Sequence, residues 1–411
     1  MSVALTAAPD HIPANLLRDI DPWQLLMSAG KDAHERAARF HQEFPRMFYA
    51  TKLGFLGGVW VPRFASDIRN ILQDPETFSS ASYTGIAQMI GESWNLIPVE
   101  TDPPMHTHFR SLLNPLFSPK RMAALEPQVR DVAARLIQGF ANKGECNFNE
   151  EFALVYPIEI FLRLMSWPVE MAPKFSDWAR TLIKTNDPKE AAGACRKIAD
   201  FVRGRINERR ANPTDDFTSF VVTSQIEGRL LTEDEAMGMC FLVFIAGLDT
   251  VTSSLGFQFL HLARNPEQQA QLRANPEMIP QAVEELLRFY SIVNPIRTAT
   301  KDVKIGDAQI HKGERVLLSL ELANYDSAEF DNPTSVDFGR GTGRRHLSFS
   351  AGPHHCIGSH LARRELIIAV QEWLAGVPPF VVDGLDKIEM RAAGVFGLEN
   401  LQFKWSPTSD A

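Results

Sequence analysis

Residues Phe349–Arg363 read FSAGPHHCIGSHLAR, and the fold turns on this stretch. Upstream, Pro353 and the run Gly339-Arg-Gly-Thr-Gly343 break regular structure, whereas Leu361–Trp373 carries apolar residues at helical spacing. Cys356 therefore stands where an irregular loop enters a helix. The unpaired N–H groups of a helix start favour thiolate over thiol. Gly352 and Gly358 leave the backbone bare on both sides, which suits close approach of a flat, bulky group. Position alone leaves an inert buried thiol and a metal ligand both open. Zinc is the weaker metal reading. His354, His355, Cys356 and His360 are nearly sequential, and no second Cys/His cluster completes four ligands.

The bulk properties bound the rest. The chain has 411 residues, 45% hydrophobic and 22% charged, an ordinary globular composition. A formal charge of -8 disfavours a coat on nucleic acid or an anionic membrane. The four cysteines, Cys146, Cys195, Cys240 and Cys356, form no C-x-x-C pair, so a zinc ribbon, a dithiol site and a disulfide framework are all disfavoured. The first residues, MSVALTAAPDHIPANLL, lack a basic n-region and an apolar signal core. The most apolar run, Met239–Leu248, is too short to span a bilayer and ends at Asp249. These features predict a soluble, cytoplasmic chain.

Helical patterns dominate, over 16–44, 120–142, Glu233 to about Arg264, and Pro280–Tyr290. Thr232 and Glu235 form a capping box ahead of the third, and Asn265-Pro266 ends it. That helix spans roughly 48 Å, so its middle must be buried. Strand-like alternation is confined to Gly58–Arg63, Val303–Ile305, Val316–Leu320 and Leu401–Trp405. The expectation is a mainly α fold with a small β portion, without βαβ alternation and without a linker: one two-lobed domain over 1–411. The glycines at 339, 341 and 343 are not read as a phosphate loop, because no parallel strand precedes them.

Three further constellations stand out. Glu285 and Arg288 lie at i,i+3 on one helix face; a surface ion pair is the bland reading. Ala246-Gly-Leu-Asp249-Thr250 puts a glycine and an acid inside the apolar helix, where Asp249 either faces solvent or serves a purpose. Asp102-Pro-Pro-Met-His106-Thr-His-Phe-Arg110 places His106 and Arg110 one turn apart.

Together these elements resemble the cytochromes P450. Phe349-x-x-Gly352-x-His354-x-Cys356-x-Gly358, continued by Leu361-Ala-Arg363-x-Glu365, is similar to that family's haem-binding loop, with Ser350 where glycine is usual. The other elements fall in the family's order along the chain. The resemblance implies a haem b cofactor with Cys356 as axial iron ligand, assisted by thiolate donation. It implies Phe349 beside the sulfur, Gly358 within the cofactor loop, and His106, Arg110, Arg297 and His354 at the haem propionates, where arginine offers a planar fork of donors. It further implies oxygen activation supported by Thr250, proton delivery through Asp249, and a structural lock of Glu285, Arg288 and Arg340.

Within the family the chain most resembles the bacterial camphor hydroxylase group, but Trp94 replaces the tyrosine that binds the camphor ketone. The pocket implied by this alignment is Trp94, Leu96, Leu242, Ile245, Val293, Val395 and Phe396, each of which also suits plain core packing. It would select a compact apolar molecule: a terpenoid, a norisoprenoid such as an ionone, or a cyclic hydrocarbon. The resemblance implies a monomeric monooxygenase that uses O2, fed by a [2Fe-2S] ferredoxin and an NADH-dependent reductase. Arg110, Lys120, Arg121, Arg344, Arg345 and Arg363 form a candidate docking patch for that acidic partner. The alternatives are a peroxygenase on the same fold, a haem ligand sensor, and a cofactor-free helical module.

Overall fold

The computed structural model describes residues 9–27, 33–54, 57–81, 83–185, 187–341, 343–391 and 394–406. They fall into two compact units, Met1–Ser80 with Glu277–Cys356 and Asp386–Glu399, and Ala81–Pro276 with Ile357–Leu385 and Asn400–Ala411. Neither unit is a continuous stretch of chain.

The first unit carries a six-stranded sheet in the order Leu17–Arg18, Met47–Ala50, Val59–Pro62, Arg315–Leu317, Ile296–Ala299, Phe78–Ser79. Two of its neighbour pairs are parallel and the rest antiparallel, so the sheet is mixed rather than purely antiparallel. Trp60, Ile68, Leu72, Phe78, Val316 and Leu347 pack its core. The helix Ile279–Phe289 lies within one residue of its expected bounds. Its Pro280 sits at the first turn, where a missing N–H costs nothing.

The second unit is helical. Its axis is the helix Glu233–Arg264, opened by the reciprocal capping box in which Glu235 N–H donates to Thr232 Oγ1 and Thr232 N–H to Glu235 Oε2. It packs against the helices Val155–Leu164 and Pro188–Ala211, and Ala236, Met237, Met239, Cys240, Phe241 and Phe244 are buried in the unit's core. Over part of its length this helix is apolar enough to cross a membrane, yet that apolar surface is largely spent on core packing. The other end of the unit is aromatic. Trp373 of the helix Ser359–Gly376 is fully buried among Phe140, Phe148, Phe152, Phe259 and Phe380, with ring centroids 5.1–5.6 Å away.

Four expectations need correction. Within 16–44, Leu17–Arg18 is a strand paired to Tyr49 and Ala50, followed by the helices Pro22–Met27 and Ala33–Glu43; residues 28–32 lie outside the described residues. The helix over 120–142 is two, Pro119–Ala124 and Glu126–Gln138, because Pro127 lacks the N–H that would continue the first and suits the start of the second. The strand over Val316–Leu320 ends at Leu317, since Ser319 caps a short helix, Leu320–Asn324. The first unit's sheet has parallel neighbours although the sequence was read without βαβ alternation: the helices Pro22–Met27 and Ala33–Glu43 stand between Leu17–Arg18 and its parallel neighbour Met47–Ala50, and Val59–Pro62 pairs with Arg315–Leu317 from far along the chain.

Candidate functional site

The four cysteines separate by environment. Cys146, Cys195 and Cys240 are buried, and burial pushes their thiols up, to about 12 for Cys195 and Cys240 and further for Cys146. Cys356 alone keeps exposed surface. The loop before it closes on itself, with Cys356 N–H donating to the Phe349 carbonyl at 2.9 Å. Gly352 sits inside this loop at φ +67°, where a Cβ would lie 2.5 Å from the Leu72 carbonyl oxygen and 3.0 Å from Gln73 Cα. Only glycine fits there. Ser350 is also left-handed, at φ 62°, a conformation that glycine, usual at this place in the family the motif resembles, adopts without cost. His354 is half-buried, and the helix Ser359–Gly376 begins three residues after Cys356 with Gly358 at its N-cap.

A buried polar network holds the segment leading into this loop. Arg288 is fully buried and forks onto Glu285 through Nε (2.9 Å) and NH2 (2.7 Å), and it also donates to the carbonyls of Asn324, Pro333 and Ser335. Arg340 Nε reaches the same Glu285 carboxylate at 2.9 Å, as does Asp337 N–H at 3.1 Å. The surface-pair reading of Glu285 and Arg288 is therefore excluded; with every donor satisfied, removing one partner would leave a buried charge exposed to no compensation.

Two members of this network were invisible in the sequence. Asn324, fully buried, accepts from Leu347 N–H (2.8 Å) and donates to the Arg288 carbonyl (3.2 Å) and Ser348 Oγ (2.9 Å). His346 bonds Glu284 through Nε2 at 3.1 Å, while its Nδ1 accepts from Ser348 N–H at 3.2 Å. The acceptor role of Nδ1 places the ring proton on Nε2. No motif of residue type marks either position; each is recruited by the chain's path. Arg297 lies in the strand Ile296–Ala299, buried, with NH1 on the Ile296 carbonyl at 2.9 Å.

In the helical unit, Ala246 and Gly247 are exposed in the middle of an otherwise buried helix, and a Cβ on Gly247 would meet nothing within 4 Å. Thr250 Oγ1 donates to the Ala246 carbonyl at 2.7 Å. The helix is continuous through this turn, and the back-bond is one that a threonine makes in many helices. Asp249 is half-buried beside it. His106 is buried on the helix Met105–Leu113, and Arg110, one turn on, donates from Nε to Asn114 at 2.9 Å.

The residues expected at the pocket divide by exposure. Leu242, Ile245, Val293 and Val395 are half-buried, whereas Trp94, Leu96 and Phe396 are buried. Val293 and Val395, a hundred residues apart in sequence, face each other across a β-bridge, and Phe396 N–H donates to the Ile292 carbonyl at 2.9 Å. Among the docking candidates Lys120, Arg121, Arg344 and Arg345 are exposed, and Arg110 and Arg363 are half-buried.

Comparison with known proteins bears on the family and the fold. The sequence model of the cytochrome P450 family matches residues 140–375. The chain is 40% identical over 407 residues, 97% of each chain, to the probable cytochrome P450 127A1 of Sinorhizobium fredii. Its fold matches the crystal structure of cytochrome P450 CYP101C1 with a TM-score of 0.86 and 32% identity, covering 97% of this chain and all of that one. CYP101J2 matches with the same TM-score at 30% identity, over 98% of this chain and all of that one. The chain thus belongs to the cytochrome P450 family, the haem b monooxygenases.

Proposed function

We propose that the protein hydroxylates a compact apolar small molecule with O2, holding haem b through Cys356. The observation that carries this reading is the contrast among the cysteines: one accessible thiol closes a loop anchored on a buried network, and three are sealed in the core. The donor set fits the group. A cysteine that keeps exposed surface, in a loop closed by its own N–H on the Phe349 carbonyl, suits a prosthetic group held through sulfur. When bound, haem b supplies the redox-active iron for oxygen activation.

The chain's own residues then have these parts. His106, Arg110, Arg297 and His354 bind the propionates, Phe349 and Gly358 shape the loop, and Glu285, Arg288 and Arg340 fix the loop's approach. Asp249 carries protons inward from solvent to Thr250 Oγ1, whose hydroxyl now rests on the Ala246 carbonyl and is free to rotate toward a ligand. Substrate rests on Trp94, Leu96, Leu242, Ile245, Val293, Val395 and Phe396; terpenoids, ionone-like norisoprenoids and cyclic hydrocarbons match that lining. We read residues 1–411 as one cytoplasmic, monomeric P450 domain. Electrons come from a [2Fe-2S] ferredoxin and its NADH-dependent reductase, docked on the arginines and lysine named above.

The decisive measurement is absorbance of the reduced, carbon-monoxide-bound protein. Thiolate ligation gives a red-shifted Soret band, which Cys356→Ala abolishes; a variant that keeps both the band and turnover sinks the assignment.

A further inference from the structure

A tryptophan has a single hydrogen-bond donor, Nε1. In Trp94 that donor is taken: it lies 2.6 Å from Glu92 Oε2. The same oxygen accepts from Arg203 NH2 at 2.7 Å, so the carboxylate is pinned to the helix Pro188–Ala211. Arg203 is in turn flanked by Asp200 at 3.5 Å and Glu233 at 3.7 Å, which hold it in place. Hydrogen bonds with an ionised partner are roughly twice as strong as neutral ones. A ligand's neutral carbonyl therefore competes poorly with Glu92 for the indole N–H.

The ring cannot turn away to offer the donor elsewhere. Phe241 packs on it, with centroids 4.8 Å apart at 44°. The backbone beside it is fixed twice. Asn95's carbonyl presses on the long helix where Gly238 leaves room, since a Cβ there would lie 2.0 Å from that oxygen. Glu100, buried, clamps the turn by accepting from Leu96 N–H at 2.8 Å and Thr84 N–H at 2.7 Å. What Trp94 can show a ligand is carbon.

We infer that Glu92, held by Arg203, sets the ligand preference of the site by sequestering the Trp94 donor, an inference resting on the substrate-facing role proposed for Trp94. Glu92 is thus a positioning residue that biases the site toward hydrocarbon over ketone. It touches no ligand itself.

The test compares two ligands of one shape, a bicyclic monoterpene ketone and its parent hydrocarbon. Both are titrated into the haem-loaded protein and followed by the haem spectral shift; the readout is the ratio of their dissociation constants. Glu92→Ala frees one neutral donor and moves the ratio toward the ketone by about three- to tenfold. Glu92→Gln keeps an acceptor oxygen but loses its charge, and moves the ratio in the same direction by less than Glu92→Ala. Adding Trp94→Phe to Glu92→Ala returns the ratio to wild type, and Trp94→Phe alone does not lower the ketone's relative affinity. A ratio unmoved by Glu92→Ala in protein that keeps its carbon-monoxide band overturns the inference alone, as does a shift that survives Trp94→Phe or a loss of ketone preference in Trp94→Phe by itself. A wild-type protein with no thiolate band overturns the proposed function, and this inference with it.

Discussion

Ser350 holds a left-handed backbone at φ 62°, in the loop that ends at Cys356. An L residue pays about 1–2 kcal/mol for that conformation, and glycine pays almost none. Its hydroxyl is buried without a hydrogen-bond partner, so it returns little of that cost. Ser350→Gly should therefore raise stability by about 1 kcal/mol, read as a higher urea midpoint at unchanged slope. At this scale the sequence was informative wherever a residue type is forced by local geometry. Gly352 was singled out for its bare backbone, and the structure puts it where no Cβ fits; Cys356 was marked by its place between loop and helix, and its ligand role only by the family resemblance. Asn324 and His346 could not, because their bonds to Leu347, Ser348, Arg288 and Glu284 come from segments meeting in space, and an asparagine or histidine carries no mark of that. Trp94 was legible as a bulky aromatic, but the fate of its N–H depended on Arg203, more than a hundred residues away.

The helix Ser359–Gly376 shows what an element imposes on its members. It buries Glu365 completely, and desolvation raises that carboxyl from its ordinary 4.5 to about 8. Tyr156 donates to the Glu365 backbone carbonyl, at 2.9 Å, rather than to the side chain. Between those two values the folded chain keeps a proton that the unfolded chain has released. Stability is then full below about 4.5 and falls as pH rises toward 8. Glu365→Gln, neutral throughout, should flatten that decline; urea midpoints measured across the window check it, and an equal slope in both proteins would contradict the burial argument. Elements were legible where period and punctuation agreed. Glu233–Arg264 had a capping box at one end and Asn-Pro at the other, and its bounds held. The span 16–44 had helical spacing but no boundary signal at Leu17–Arg18, whose strand character comes from pairing with Tyr49 and Ala50.

At the scale of the whole molecule the two compact units are interleaved in sequence, with the chain passing between them at 80/81, 276/277, 356/357, 385/386 and 399/400. No continuous fragment contains one without most of the other. Residues 81–276 lack Trp373, around which Phe140, Phe148, Phe152 and Phe259 assemble. Deleting a buried tryptophan alone costs about 3–5 kcal/mol, a large share of a domain's stability. That fragment should show no cooperative thermal transition by near-ultraviolet circular dichroism, and a sharp transition would refute the interdependence. The mixed sheet escaped the sequence for two reasons: Leu17–Arg18 is too short to carry a strand pattern, and Val59–Pro62 pairs with Arg315–Leu317, too remote for any local pattern.

The sorting of the cysteines has a practical consequence. A neutral alkylating reagent attacks thiolates that it can reach, and three of the four sulfurs are both sealed and protonated at neutral pH. On the proposed ligation by Cys356, intact-mass analysis after brief iodoacetamide treatment should find one adduct on chains stripped of haem and none on loaded chains. On that ligation, the number of adducts would count the protein's own occupancy.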